Sequence, residues 1–123
     1  MAILSESSVV HGNGSEQTTY KVFNDESVDE TASDDIDISN AKEVTLLVES
    51  GAGVSGGVVK LEVAAVAGGP YFVAGTVTTG AASTGYADTI GSGDAGLPAN
   101  FARARIETVI SGGTVDAYII VTR

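Results

Sequence analysis

The sequence predicts an all-β fold: an antiparallel two-sheet β-sandwich of jelly-roll type, with seven to eight strands and an N-terminal arm. Three observations predict it. Alternating apolar and polar residues recur along the 123 residues, and no run of ten or more has helical periodicity. Glycine (16) is abundant and proline (2) scarce, without a Gly-X-Y period, as in many short strands separated by turns. The clearest alternation lies in 101–122. There Ala102, Ala104, Ile106, Thr108 and Ile110 alternate with Phe101, Arg103, Arg105, Glu107 and Val109; after Ser111-Gly112-Gly113, Val115, Ala117, Ile119 and Val121 alternate with Thr114, Asp116, Tyr118, Ile120 and Thr122. With Gly-Gly supplying the positive φ of a tight turn, the two runs are expected to pair as an antiparallel hairpin that closes the core.

In chain order, residues 1–17 read as an arm and 18–123 as a single sandwich domain. The arm has apolar patches at Met1, Ala2, Ile3, Leu4 and at Val9-Val10, followed by the turn-forming cluster His11-Gly12-Asn13-Gly14-Ser15. Two readings stay open for it: an arm held against a partner, or a first strand of the domain's own sheet after a frayed terminus. Asn13-Gly14-Ser15 also matches a glycosylation sequon, but without a secretory signal it reads as a turn. Residues 18–24 alternate Thr19, Lys21, Phe23 against Thr18, Tyr20, Val22 and form a strand. Seven acids within 25–37 then make most of that stretch a loop, with Ile36 and Ile38 pinning a short strand at its end.

Val44, Leu46 and Val48 face one way and Glu43, Thr45, Leu47 and Glu49 the other. After the glycine-rich 50–57, Val59, Leu61, Val63 and Ala65 repeat the pattern around Lys60 and Glu62, and the pair looks like a meander. Ala67-Gly68-Gly69-Pro70 turns into the β-branched and aromatic run 71–78. Residues 80–100 are the least regular, with a short strand at 86–90 and Leu97-Pro98 as an anchor before Phe101.

At this length the chain makes one two-layer core. Against 16 acids stand 6 bases, a formal charge of −10, and residues 1–62 hold 12 of the acids with 3 of the bases. Such a field repels nucleic-acid phosphate and anionic membranes, so neither is expected as a partner. Without cysteine, stability rests on packing or on other subunits. No basic, then apolar, leader opens the chain and no run reaches a membrane span, so a protein made in the cytoplasm and not exported by an N-terminal signal is expected.

An enzyme is not expected. The one histidine, His11, lies in a turn near the terminus, so Ser/His and Cys/His triads lack their parts, and no pair of carboxylates is singled out by spacing. No cofactor is required. Asp34, Asp35 and Asp37, with Asp29 and Glu30, put oxygens near one another that suit Ca²⁺, yet the glycine and ligand spacing of a calcium loop are missing, and a charge run is more often a solvated face. Bound calcium would raise the melting temperature.

The segments 43–49, 58–62, Ala102-Arg103-Ala104-Arg105-Ile106 and 112–118 resemble small jelly-roll virion proteins of tailed bacteriophages, of the head decoration (cement) type, as a pattern of strands and turns over 41–123. Tail or baseplate adhesion domains and glycan-binding sandwich modules use similar patterns and are the alternatives; the lack of Trp counts against a sugar platform. The resemblance implies a non-catalytic protein on the capsid exterior of a virion assembled in a bacterial cytoplasm, bound to the major capsid protein, commonly as a trimer. It further implies that the arm, through Met1, Ala2, Ile3, Leu4, Val9 and Val10, meets the shell. Outward apolar residues, Leu47, Val58, Val109 and Ile120, are the expected subunit contact. Arg103 and Arg105 either join that contact as a basic stripe or pair across strands with Asp116 and Glu107.

Overall fold

The protein, described by a computed structural model over residues 1–12, 14–91 and 99–123, forms nine strands and, among those residues, no helix. They are β1 (Ser5–Val10), β2 (Glu16–Glu26), β3 (Ile36–Asp37), β4 (Glu43–Ser50), β5 (Gly56–Ala64), β6 (Tyr71–Thr78), β7 (Gly85–Gly91), β8 (Phe101–Ser111) and β9 (Val115–Thr122). A five-stranded sheet runs β1-β2-β9-β4-β7 and a four-stranded sheet β3-β8-β5-β6, with every pairing antiparallel. From β2 onward the chain changes sheets at every connection except the hairpin between β5 and β6. That is the jelly-roll order, with β1 added at one edge.

The alternation read from the sequence holds through most of four strands but breaks in β5, where after Leu61 a register shift buries Ala64 in place of Val63 and Ala65, and in β8, where Thr108 beside a second shift is exposed. Val44, Leu46 and Val48, then Val59 and Leu61, then Ala102, Ala104 and Ile106, then Val115, Ala117, Ile119 and Val121 are all buried in one core between the sheets, with Phe23 and Ile38 closing it. Apart from Phe23 the buried core is aliphatic, and each fully buried Leu or Ile is worth about 1.5–3 kcal/mol over its exposed state.

The pairing of the last two strands differs from expectation. β8 and β9 do not form a hairpin: β8 pairs with β3 and β5, while β9 lies between β2 and β4 in the other sheet. Their apolar faces meet across the core instead of lying side by side, and period-two alternation is the same in either case. Gly112, at φ 82, serves an arch from sheet to sheet, not a two-residue hairpin turn. For the same reason β4 and β5 are not a meander, since they too lie in opposite sheets. The turn at 67–70, by contrast, joins neighbours, β5 and β6, as a hairpin with the Gly69–Pro70 bond cis.

A second difference lies in β2. A register shift between Lys21 and Phe23 puts Val22 and Phe23 both at 0 % exposure, where strict alternation would have set one outside. The edge strand β6 is tied to the other sheet: Gly75 leaves room for Asp88 of β7, whose Oδ2 accepts the Thr76 N–H at 2.8 Å. The N-terminal segment resolves as a strand. β1 pairs with β2 from Ser5↔Lys21 to Val10↔Glu16, yet all six of its residues are exposed. The expected anchor Leu97-Pro98, and Asn13 of the expected turn, lie outside the described residues.

Candidate functional site

The outer face of the four-stranded sheet carries a polar network centred on Glu62 of β5. Glu62 lies opposite Arg103 of β8 and one step from Arg105, because the register pairs Lys60 with Arg105 and Glu62 with Arg103. Arg103 Nε donates to Glu62 Oε1 and Arg105 Nε to Oε2, each at 2.9 Å, and Glu62 is only 5 % exposed. Arg105 also reaches Glu30 at 3.3 Å, and its pKa is raised, first by the hydrogen bond to Glu62. Arg103 stacks on Tyr71, 3.5 Å from the ring centroid, and Tyr71 Oη donates to Asp35 Oδ1 at 2.8 Å. Burial, then Asp35, raises the Tyr71 pKa. Lys60 pairs with Glu107 at 3.4 Å. The arginines therefore do not pair with Asp116 or Glu107: Asp116 belongs to the other sheet, where it meets Lys21 at 3.8 Å.

The acidic run is drawn apart by its partners. Asp34 faces the N-terminal ammonium of Met1 at 3.5 Å, Asp35 accepts from Tyr71 and from the Gly68 N–H, and Asp37 accepts from the Ser39 N–H at 2.8 Å. Among the described residues no group of three or more His, Asp or Glu stands where it could hold a metal ion. His11 Nε2 lies 3.2 Å from Gln17 Oε1.

The Asp37 pKa is lowered, first by the Ser39 hydroxyl and N–H, and from that follows a pH dependence. A depressed carboxylate stabilises the fold above its unfolded value, about 3.9, and loses that contribution as pH falls through the lower folded value. Asp37→Asn should melt below wild type at neutral pH, with the gap closing as pH falls below about 4. A gap of constant size in thermal melts across that range would show that the charge is not its source.

The expected shell-contact residues divide. Met1 bonds through its ammonium to Ala32 O at 2.9 Å and Ile3 packs on the core, so both are engaged within the domain; Ala2 lies between them and is exposed. Leu4, Val9 and Val10 are exposed, Val10 at 67 %. The expected subunit-contact residues divide as well. Leu47 and Ile120 lie half-buried on the outer face of the five-stranded sheet; Val58, half-buried, and Val109, exposed, belong with Arg103 and Arg105 to the four-stranded sheet. No single face contains them all.

Two features were not foreseen. Val66, Phe72 (64 % exposed) and Val73 crowd the β5–β6 hairpin. The ladder ties this hairpin to the end of the sandwich where Val9 and Val10 stand. Val10 pairs with Glu16, Glu16 bonds Arg123, the Arg123 guanidinium reaches Asp37 O, and Asp37, Phe101, Ala64 and Tyr71 are successive partners. Phe72 and Val73 lie in the run 71–78 that the sequence marks as a strand without assigning its faces, on the edge strand of the four-stranded sheet beside a register shift. The second feature is a groove of about 350 Å³ on the five-stranded sheet, walled by Leu47, Tyr118, Tyr86 and Ala87, which runs through Glu49 into a cleft of about 180 Å³ between Asp25, Thr114 and Asp116.

No protein-family model and no curated protein sequence matches the chain. Solved structures do match in fold. The SPBc2 prophage-derived protein YomS is similar with a TM-score of 0.60 at 12 % identity, over 89 % of this chain and 95 % of that one. The K3 cleaved adhesin domain of Lys-gingipain from Porphyromonas gingivalis gives 0.56 at 8 % identity, over 87 % and 73 %. The C-terminal CBM6 of LamC from Zobellia galactanivorans gives 0.50 at 13 % identity, over 97 % and 92 %. At these identities the likeness is one of fold: a β-sandwich shared with a phage-derived protein, an adhesin domain and a carbohydrate-binding module.

Proposed function

We propose that this chain is a non-catalytic structural protein of a phage virion that binds and stabilises the capsid exterior as a trimer, with the major capsid protein as its partner. The observation that carries the reading is the exposed apolar side chains at one end of the sandwich: Val9 and Val10 on edge strand β1, and Val66, Phe72 and Val73 about the β5–β6 hairpin at the opposite edge, all more than half exposed. Exposed apolar groups at both edges of one end offer two contacts to a protein that covers that end. The fold likeness to a prophage-derived protein along nearly the whole of both chains supports a phage setting. Repetition on one particle lets a modest contact suffice, because each copy of a trimer adds to avidity. Val58 and Val109, on the outer face of the four-stranded sheet, are the proposed contact between copies.

The test is to tag the chain in the phage that encodes it and to purify particles. The expected result is density for the chain at three-fold positions of the shell, with Val10→Asp and Phe72→Asp reducing its occupancy at least about tenfold while far-UV spectra stay unchanged. Recovery of the chain at the tail or baseplate, or its absence from particles, would overturn the capsid reading. A tail or baseplate adhesion role uses the same fold. A glycan-binding role would draw on the groove beside Tyr118, the one aromatic ring on the outer face of the five-stranded sheet among the described residues.

A further inference from the structure

We infer that the groove on the outer face of the five-stranded sheet is a second docking site, for an extended segment of a partner protein that carries an apolar side chain and, two residues on, a lysine or arginine. The site is built in rows. Register sets Tyr118 of β9, Leu47 of β4 and Ala87 of β7 side by side, and sets Asp116, Glu49 and Gly85 side by side in the next outward-facing row. The first row is apolar and the second acidic. Along each strand the two rows are two residues apart, about 7 Å, which is the spacing of neighbouring same-face side chains on an extended peptide. A strand laid along β4 therefore presents an apolar group to Leu47 and its next same-face side chain to Glu49.

Room for such a strand comes from the small residues of β7. A Cβ at Gly85 would meet nothing within 4 Å, and Ala87 leaves Leu47 and Tyr118 open to solvent on one side. Charge decides the occupant. Asp25, Glu49 and Asp116 line or border the cleft, and the base near them is Lys21, which sits 5.6 Å from the Tyr118 ring centroid and 3.8 Å from Asp116. The Asp25 and Asp116 carboxylates hold the Thr114 hydroxyl and the Asp25 N–H, whereas the exposed Glu49 carboxylate makes no hydrogen bond or ion pair among the described residues. A second copy of the chain, itself at −10, would bring more negative charge to this rim, while a cationic side chain complements it. The site stands apart from the proposed shell contact, since Asp25 and Thr114 lie at the opposite end of the strands from Val10 and Arg123.

The probe is a capped short peptide with phenylalanine and lysine two residues apart in a serine background, titrated into the ¹⁵N-labelled protein. Saturable shifts are expected at Leu47, Glu49, Ala87 and Tyr118, weakening as salt rises. Glu49→Lys should weaken binding about tenfold, as should Ala87→Leu, which fills the groove on an outer face and leaves the core intact. The same peptide with glutamate for lysine, or serine for phenylalanine, should not saturate. Equal binding of the glutamate peptide, or shifts centred elsewhere, would overturn the inference. So would saturation of these residues by a laminarin oligosaccharide in place of the peptide, which would assign the groove to sugars, or their concentration-dependent broadening without peptide, which would assign it to a second copy.

Discussion

Gly112→Ala is expected to lower the stability of the domain by about 2–4 kcal/mol, read as a shift in the midpoint of urea or thermal unfolding. Two arches pass each other at this point. The β8–β9 connection carries Gly112 at φ 82, and the β4–β5 connection carries Gly53 at φ 86. A Cβ on Gly53 would sit 2.6 Å from Gly112 O, and a Cβ on Gly112 would meet Gly53 O, a backbone atom that no rotamer change can move away. The arches are held at this separation by Ser55 N–H to Ser111 O and Gly51 N–H to Thr114 O, both 2.9 Å. Relief of the clash therefore means loosening these bonds. Gly68→Ala is the control: it too has φ +87, but a Cβ there meets nothing within 4 Å. It should carry only the left-handed backbone penalty, about 1–2 kcal/mol. Equal losses at the two positions would mean that backbone conformation, not the close approach of the arches, fixes Gly112.

The same arch shows what the sequence could and could not convey. Which residues of β4 and β9, and of β5 and β8 up to their register shifts, are buried was legible, because alternation is a local property and each strand has one face on the core; the shifts that bury Ala64 and expose Thr108 were not. Which strands are neighbours was not: Val115, Ala117, Ile119 and Val121 bury the same way whether β8 lies beside them or across the core, and Gly112-Gly113 suits a hairpin as well as an arch. The error propagated to the charges. A hairpin would give Arg103 and Arg105 the partners Asp116 and Glu107, while the actual partner, Glu62, comes from β5 by a register that no local pattern encodes. Val22 and Phe23 were set on opposite faces because a bulge leaves no mark in composition. The outward placement of Leu47, Val58, Val109 and Ile120 was readable from alternation alone. The exposure of Phe72 and Val73 was not, since the run 71–78 reads as a strand but nothing local says that it lies at a sheet edge.

Glu62→Ala is expected to cost more, about 3–5 kcal/mol, because it strands two cations that share one carboxylate. Arg103 and Arg105 lie two residues apart on one face of β8, their side chains 22 % and 18 % exposed. Without Glu62 the remaining counter-charge is Glu30, 3.3 Å from Arg105 but with its own side chain 72 % exposed and so screened by water. Tyr71, stacked on Arg103, holds that guanidinium in place and limits its escape to solvent. Raising salt should narrow the gap between variant and wild type, since much of the loss is repulsion between the two arginines. A triple variant, Glu62→Leu with Arg103→Met and Arg105→Met, should recover most of the stability by removing the stranded charges together with their partner. A Glu62→Ala loss under about 0.5 kcal/mol would overturn this account of the network. The variant also separates two roles for the arginines. If they hold β8 to β5, loss of Glu62 acts on unfolding of the isolated chain; if they are contacts between copies, it acts on dissociation of the proposed trimer while the unfolding midpoint of the monomer stays in place.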